Sequence, residues 1–317
     1  MTNEPDIERA AESVLGTPVL SVERLTHGDI NRVYKVESAG RAFVLKIFSH
    51  RDWPEEGKLP WVEARLEERA VARARMLHYT RDDRFFPHGF SLSEYVAGAN
   101  AKQAVRDGRL SPFDYLEMAG AYLRRVHDIR VPRYGYLGDG SGTEADYVGW
   151  VVGWNLKDSV DELAGAHGLD VGLYAEAAAR VEKALRRFER RLSPALVHAD
   201  ATPKNAILTD GGRVLLVDWD EARACPWLHD YTNLSYWYSY ILHRGGLEAR
   251  DKEEVRAAFF RGHGEPEFGP DELDALESAL HTVQAAGVLA FYFRRGNAEG
   301  FGHTRELLSR LLSAPPP

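Results

Sequence analysis

The feature that most constrains the fold is a change in the period of the apolar residues near residue 96. Before it, apolar and polar residues alternate in short runs such as TPVLSVERL, RVYKVES and RAFVLKIFS, which predict consecutive strands. After it, apolar residues recur every three or four positions in stretches such as SPFDYLEMAGAYLRRVHDI, as is typical of amphipathic helices. The sequence therefore predicts an α+β protein with a small β-rich lobe, residues 1–96, and a larger, mainly helical lobe, residues 97–317.

The charge and the cysteine count exclude several classes of function. The 317 residues include 48 acidic and 40 basic ones, a net charge of −8, which argues against a nucleic-acid partner and favours a cationic one. Because Cys225 is the single cysteine, neither an internal disulfide nor a cysteine-based metal site is expected. We find no signal peptide and no apolar stretch of membrane-spanning length, so we expect a cytoplasmic protein without a membrane partner.

A polar motif stands in a β-rich patch of the helical lobe. The stretch LVHADATPKNAIL gives His198, Asp200 and Asn205 the spacing of the catalytic loop of kinase-like phosphotransferases, and Asp218 follows an apolar run, VLLV. Phosphoryl transfer needs a carboxylate that accepts the proton of the acceptor hydroxyl, and oxygen ligands for Mg²⁺. We therefore predict that Asp200 is the catalytic base and that Asn205 and Asp218 bind the metal. Alternatively, Asp200 and Asn205 form turn hydrogen bonds and Asp218 caps the next loop.

Together with the first lobe, these motifs resemble the aminoglycoside phosphotransferase and choline kinase family, which shares the protein-kinase fold. The similarity extends from residue 20 to about residue 235 and includes HADATPKN, VDWD and WLHDYTNL. Ala199 replaces the commoner glycine of the loop, as in hygromycin B phosphotransferases. The resemblance implies that His198 supports the catalytic loop and that Asp230 braces it through its backbone. Asp230 could instead simply stabilise the N-terminus of its own helix.

The stretch FVLKIF predicts the third strand of the small lobe. Strand alternation places Val44 and Lys46 on one face of it. The resemblance implies that Val44 covers the adenine of ATP, that Lys46 reaches the α- and β-phosphates, and that a glutamate on the next helix pairs with Lys46. Glu67 and Glu68 both qualify, and we favour Glu67 because it lies beside the apolar stripe of the helix predicted over VEARLEERAVARARML.

Two further stretches resemble nucleotide-binding parts of the family. The loop LTHGDINRVYKV, with Gly28, resembles the hairpin that covers the phosphates, and SEYV resembles the hinge, in which backbone groups of Glu94 and Val96 face adenine. No Walker-type phosphate loop occurs in the sequence. The expected cofactors are ATP, with GTP as the alternative donor, and Mg²⁺.

The class of acceptor is predicted from the length of the segment between Asp218 and Asp230 and from the net charge. Twelve residues lead from Asp218 to Asp230 without an Ala-Pro-Glu motif, which leaves little room for a segment that docks a peptide, so a small-molecule hydroxyl is favoured. The acidic balance favours a cationic acceptor, such as an aminoglycoside, and hence a role in antibiotic resistance; Asp146, Asp220 and Glu221 are candidate carboxylates for it. The alternatives are a kinase of choline, an amino-sugar or homoserine, a non-catalytic nucleotide-binding regulator, and a protein kinase.

Overall fold

The computed structural model describes residues 4–26, 30–82, 84–157, 171–242 and 249–313. Its helices and strands, in chain order, are α1 (Glu4–Leu15), β1 (Val19–Thr26), β2 (Arg32–Ser38), β3 (Arg41–Ile47), α2 (Lys58–Glu68), β4 (Met76–Thr80), β5 (Phe90–Glu94), β6 (Gly98–Asn100), α3 (Ala101–Arg106), α4 (Pro112–His127), α5 (Tyr147–Val152), α6 (Val171–Phe188), β7 (Ala195–Val197), β8 (Ala206–Thr209), β9 (Val214–Leu216), β10 (Arg223–Cys225), α7 (Leu228–Tyr236), α8 (Ala249–His263), α9 (Pro270–Arg294) and α10 (Ala298–Ser313). The predicted α+β composition is confirmed.

The chain divides into two compact units that are discontinuous in sequence. The first comprises Met1–Leu110, Leu137–Ser141 and Pro203–Ala222. The second comprises Ser111–Tyr136, Gly142–Thr202 and Arg223–Pro317. The lobe boundary between residues 96 and 97 stays a prediction.

The first unit is built on a five-stranded antiparallel sheet in the order β1-β2-β3-β5-β4. The predicted alternation in β3 is confirmed, because Phe43, Leu45 and Ile47 are buried in one apolar core. Helix α1 adds Ile7 and Ala10 to that core. Lys46 therefore lies on the opposite face of the sheet.

Helix α2 is shorter than the sequence pattern predicts. It ends at Glu68, because Ala70 has a left-handed backbone (φ +50°) and the amide of Val71 donates to the carbonyl of Leu66 at 2.8 Å. This closure is the Schellman arrangement, with alanine where glycine is usual. The residues beyond it, predicted as a continued helical stripe, lead into strand β4 instead.

A second sheet completes the first unit, in the order β6-β8-β9. Strands β8 and β9 form a hairpin in which Ala206 pairs with Leu216. A 3₁₀ turn, Pro203–Asn205, leads into β8, and another, Trp219–Glu221, follows β9. The hairpin therefore brings these two turns together at its open end.

The second unit is mainly helical. Helices α4 and α8 pack closely, since a Cβ at Gly262 would lie 1.9 Å from the carbonyl oxygen of Glu117. A small antiparallel pair, β7 and β10, lies beside them, with Arg223 opposite Val197. Among the described residues, no helix is long and apolar enough to cross a lipid bilayer.

Candidate active site

In the first unit, the structure brings the predicted lysine and a predicted metal ligand together. The ammonium Nζ of Lys46 lies 2.6 Å from Oδ1 of Asp218 and 2.8 Å from Oδ1 of Asp220. Lys46 and Asp218 are 172 residues apart in the chain. The pairing therefore follows from the tertiary structure, which places the polar face of β3 against the end of the β8–β9 hairpin.

The second predicted metal ligand lies at the same end of that hairpin. The amide of Val217 donates to the carbonyl of Asn205 at 2.9 Å, which holds Asn205 beside the residue that precedes Asp218. Asp218 has a left-handed backbone (φ +65°), a conformation that costs on the order of 1 kcal/mol and that is concentrated at functional sites. An amide oxygen and a carboxylate are the hard donors that Mg²⁺ prefers, so the donor set fits this metal.

Two opposing effects set the pKa of Lys46. Burial by itself would lower the pKa of Lys46, but the carboxylates of Asp218 and Asp220 outweigh it and raise the pKa above its ordinary value. Lys46 therefore stays protonated. Burial also raises the pKa of Asp220, and the ammonium of Lys46 opposes that rise.

The prediction that Asp220 binds the acceptor stays a prediction, and the structure shows that this carboxylate also has partners within the chain. Its side chain is buried, and Nδ2 of Asn31 donates to Oδ2 at 2.6 Å while Lys46 occupies Oδ1. Both carboxylate oxygens are thus engaged inside the first unit. The sequence alone does not show whether an aspartate at this position, two residues after Asp218, binds an acceptor or a lysine of its own chain.

The predicted pairing of Lys46 with Glu67 also needs correction. The side chain of Glu67 is 70% exposed and lies 3.1 Å from Nη2 of Arg73. Glu68 is likewise exposed and pairs with Arg65. The preference for Glu67 depended on a long helical stripe, and that stripe does not form because α2 ends at Glu68.

The residues predicted to contact adenine lie along β3 and the end of β5. Val44 is in register with Ser93, and the Glu94 amide donates to the carbonyl of Arg75 at 2.9 Å. Val96 follows β5 outside any strand, and in the described part of the chain its amide donates to no other backbone group. Gly28 lies outside the described residues.

In the second unit, the predicted catalytic loop is held by one buried carboxylate. Oδ2 of Asp230 accepts the amide of His198 at 2.8 Å, and Oδ1 accepts the amide of Ala199 at 2.7 Å. Nε2 of His127 lies 3.1 Å from Oδ2. Burial by itself would raise the pKa of Asp230, but the hydrogen bond from His127 and those from the loop outweigh it and lower the pKa. Asp230 is therefore an ionised brace for the loop backbone.

The rest of the loop is supported by side chains on either side of Asp200. The Asp200 amide lies 3.3 Å from Nδ1 of His198, and its Oδ1 accepts the hydroxyl of Thr202 at 3.3 Å. The buried hydroxyl of Tyr115 donates to the carbonyl of Ala201 at 2.6 Å. The half-buried carboxylate of Asp200 is thus carried by a backbone that is fixed before and after it.

The prediction that Asp146 binds an acceptor likewise stays a prediction, and in the structure this side chain has two roles within the second unit. Its Oδ1 caps helix α5 by accepting the amide of Gly149 at 3.0 Å, and Arg186 binds both carboxylate oxygens, at 2.7 and 2.6 Å. The hydrogen bonds from Arg186 hold the pKa of Asp146 below its ordinary value. Glu221 ends the 3₁₀ turn after β9 and stays a prediction.

Three residues that support these two regions were not predicted from the sequence: His127, His263 and Lys58. Nδ1 of His127 lies 2.9 Å from Nε2 of His263, which extends the network behind Asp230. Lys58 is fully buried at the start of α2, where a positive charge is unfavourable to the helix dipole. That unfavourable position is a sequence signal that could have drawn attention to Lys58, whereas nothing in the spacing pointed to His263.

Comparison with known proteins identifies the class. Residues 21–276 match the family described as APH, phosphotransferase enzyme family. The match covers well over half of the chain, which therefore belongs to the phosphotransferase enzyme family. The prediction of an enzyme that transfers a phosphoryl group to an alcohol group of a small molecule is confirmed at this level.

Solved structures share the fold at low sequence identity. Aminoglycoside phosphotransferase APH(4)-Ia superposes with a TM-score of 0.68 and 16% identity over 99% of this chain and 100% of that one. Choline kinase LicA from Streptococcus pneumoniae gives 0.64 and 13% over 97% and 99%. Spectinomycin phosphotransferase APH(9)-Ia gives 0.63 and 12% over 98% and 97%. The predicted kinase-like fold is thereby confirmed. The search of curated protein sequences gave no match.

Proposed function

We propose that this protein transfers the γ-phosphate of ATP to a hydroxyl group of a small molecule, with Mg²⁺ as cofactor. The observation that carries the proposal is the ammonium of Lys46 held 2.6 Å from Asp218, at the hairpin end that also holds Asn205. A cation and two oxygen ligands are what a metal-bound triphosphate requires. Structures similar in fold contain ADP or AMP-PNP together with hygromycin B, which supports a nucleotide here.

The residues of the first unit bind the nucleotide in this proposal. Lys46 contacts the α- and β-phosphates, and Asn205 and Asp218 would hold Mg²⁺, which when bound neutralises phosphate oxygens. The remaining contacts to the nucleotide come from Val44, from backbone groups of Glu94 and Val96, and from the loop that contains Gly28.

The second unit supplies the chemistry at the acceptor. Asp200 accepts the proton of the attacking hydroxyl, which raises the nucleophilicity of its oxygen as this oxygen bonds to the γ-phosphorus. The bond between that phosphorus and the β-γ bridging oxygen of ATP breaks, and ADP leaves. His198 and Asp230 keep the backbone on either side of Ala199 in place, so that the carboxylate of Asp200 meets the hydroxyl without a reorganisation of the loop.

For the acceptor, we propose an aminoglycoside or a related cationic antibiotic. Hygromycin B and spectinomycin occupy structures of similar fold, and the net charge of −8 favours a cation. Asp146, Asp220 and Glu221 remain the candidate carboxylates for this acceptor. Choline is a second candidate, because choline kinase LicA is similar in fold, and an amino-sugar or homoserine would suit the same chemistry. The proposal includes a cytoplasmic location and a role in antibiotic resistance.

A coupled assay of ADP release tests the proposal. The purified chain is screened with ATP and Mg²⁺ against aminoglycosides, spectinomycin, choline, amino-sugars and homoserine, with GTP as a second donor. We expect turnover with at least one acceptor, and its loss when EDTA removes the metal or when Asp200 is replaced by alanine. Equal binding of ATP with and without Mg²⁺, together with no turnover, would instead favour a non-catalytic regulator. Transfer to a basic protein alone would favour a protein kinase.

A further inference from the structure

Asp220 connects three segments of the first unit. Its Oδ1 lies 2.8 Å from Nζ of Lys46 on β3, and its Oδ2 accepts Nδ2 of Asn31, 2.6 Å away, from the chain just before β2. Its backbone carbonyl accepts Nζ of Lys58, the first residue of α2, at 2.8 Å. A single residue therefore joins the predicted phosphate-covering hairpin, the lysine strand and the helix.

The groups that hold Asp220 are themselves fixed. Oδ1 of Asn31 accepts the amide of Ser49 at 3.0 Å, which directs its Nδ2 to the carboxylate of Asp220. The ammonium of Lys58 lies 3.9 Å from the ring centre of Trp53 and pairs with Glu55. The position of Asp220 is thus determined from both its side chain and its backbone.

The two carboxylates that contact Lys46 differ in exposure. The side chain of Asp218 is 46% exposed and that of Asp220 is 9% exposed. A hydrated metal ion can therefore reach Asp218, while Asp220 is enclosed by protein groups. When Asp218 binds a metal, Lys46 keeps one carboxylate partner, and its ammonium remains at a fixed place.

We propose that Asp220 is the positioning residue of Lys46, in the role for which the sequence indicated a glutamate on helix α2. Asp220 holds the ammonium of Lys46 at the site of the phosphates and leaves Asp218 available to the metal. The inference rests on the proposed function, because it takes Lys46 as the group that binds phosphate. It makes Asn31 and Lys58 supports of the same arrangement.

The direction in which AMP-PNP affinity changes when the charge of Asp220 is removed shows whether Asp220 positions Lys46 or only repels phosphate. Removal of a carboxylate near a polyanion by itself strengthens binding, since one repulsive charge is lost. Weaker binding of AMP-PNP in Asp220→Asn would therefore report a misplaced Lys46. If Asp220 acts through Lys46, its replacement has no weakening effect where the lysine is already absent, which a double-mutant cycle measures.

The experiment compares the wild type, Lys46→Met, Asp220→Asn and the double variant. The Kd for AMP-PNP with Mg²⁺ is measured by calorimetry on the full chain. We expect Asp220→Asn to raise Kd about tenfold in the wild-type background and not at all in the Lys46→Met background. Asp210→Asn removes an exposed charge in the β8–β9 turn and should change Kd less than about twofold. If Asp220→Asn does not fold, Asn31→Ala removes one hydrogen bond to the same carboxylate and should raise Kd about threefold.

The outcomes separate this inference from the function on which it rests. A wild-type chain that does not bind AMP-PNP overturns the proposed function and this inference with it. A wild type that binds, with equal binding by Asp220→Asn and by Asn31→Ala, overturns this inference alone. Weakening of equal size in both lysine backgrounds shows a general structural role and overturns it too. Weakening by Glu67→Gln and not by Asp220→Asn would return the role to the helix glutamate.

Discussion

The phosphate side in the first unit and the catalytic loop in the second unit are stabilised in different ways. On the phosphate side, charged side chains meet one another, as Lys46 meets Asp218 and Asp220. In the catalytic loop, one buried side chain meets the backbone, since Asp230 accepts the amides of His198 and Ala199. The first arrangement leaves charges that can exchange partners, whereas the second fixes a conformation.

This difference matches what each region has to do in the proposed function. A site for a metal-bound triphosphate must admit a large charge, and an ammonium shared between an exposed and an enclosed carboxylate can do so without losing every partner. A catalytic base must be held in one geometry, and a buried ionised carboxylate that accepts two amides is rigid because both hydrogen bonds are charge-assisted. We therefore expect variants of the two regions to have different effects.

The largest expected effect separates turnover from nucleotide binding. Asp200→Ala removes the proton acceptor and should lower kcat by roughly two to four orders of magnitude. Its Kd for AMP-PNP should stay unchanged, whereas Lys46→Met should weaken AMP-PNP binding. Steady-state kinetics with an acceptor from the screen and calorimetry with AMP-PNP measure the two quantities. Loss of nucleotide affinity in Asp200→Ala comparable to that in Lys46→Met would show that the two regions do not act separately.

The next effect is on stability, and it concerns the loop alone. Asp230→Ala leaves two buried amides without their acceptor and should lower the free energy of unfolding by about 3 kcal/mol. Asp128→Ala is the matched control, because the exposed carboxylate of Asp128 lies 3.9 Å from Arg124 and should contribute less than about 1 kcal/mol. Urea unfolding of both variants measures the difference. Equal losses would contradict the assignment of Asp230 as the brace of the loop.

A pH effect is expected from three histidines of the second unit. Burial lowers the pKa of His229 to about 4, that of His263 to about 3 and that of His281 to about 4. Below about pH 6.5 these histidines are protonated in the unfolded chain and remain neutral in the folded chain. The free energy of unfolding therefore falls as the pH decreases from about 6.5 to about 4. Each histidine contributes roughly 1 kcal/mol per pH unit to this slope.

The contribution of one histidine can be isolated. His281→Asn should make the loss of stability between pH 6.5 and pH 4.5 shallower, and the exposed His303→Asn should leave it unchanged. The pKa of Asp230 is lowered, so its contribution disappears only below about pH 4 and does not affect this window. Urea unfolding at several pH values gives the slopes. An identical slope in His281→Asn and the wild type would rule out this source of acid sensitivity.

The smallest expected effect concerns the backbone of the catalytic loop. Ala199 has a φ of +62°, which is unfavourable for a residue with a Cβ. Ala199→Gly relieves this strain but increases the freedom of the unfolded chain, so a net gain of about 0.5 to 1 kcal/mol is expected. Ala175→Gly, on the exposed face of helix α6, should have the opposite sign, about 1 kcal/mol destabilising. A loss of stability in Ala199→Gly would show that the loop relaxes away from this conformation in solution.

The sequence by itself determined the local features of the site. Alternation in β3 decides which face carries Lys46, because successive side chains of a strand point to opposite sides. The six residues from Asp200 to Asn205 are consecutive in the chain, so the sequence sets the spacing between the predicted base and the predicted metal ligand. The strand-ending position of Asp218 follows from the apolar run before it. Such features depend on neighbours in the chain, and a pattern within ten or fifteen residues is enough to predict them.

The tertiary structure alone decided which charged groups are partners. Lys46 pairs with Asp220, 174 residues away, and not with Glu67, whose exposed side chain pairs with Arg73. Asp146 likewise pairs with Arg186, which is 40 residues away in the chain. The sequence does not show which cation a carboxylate pairs with, because the energy of an ion pair depends on distance and burial. Both are set only when distant segments of the chain pack together.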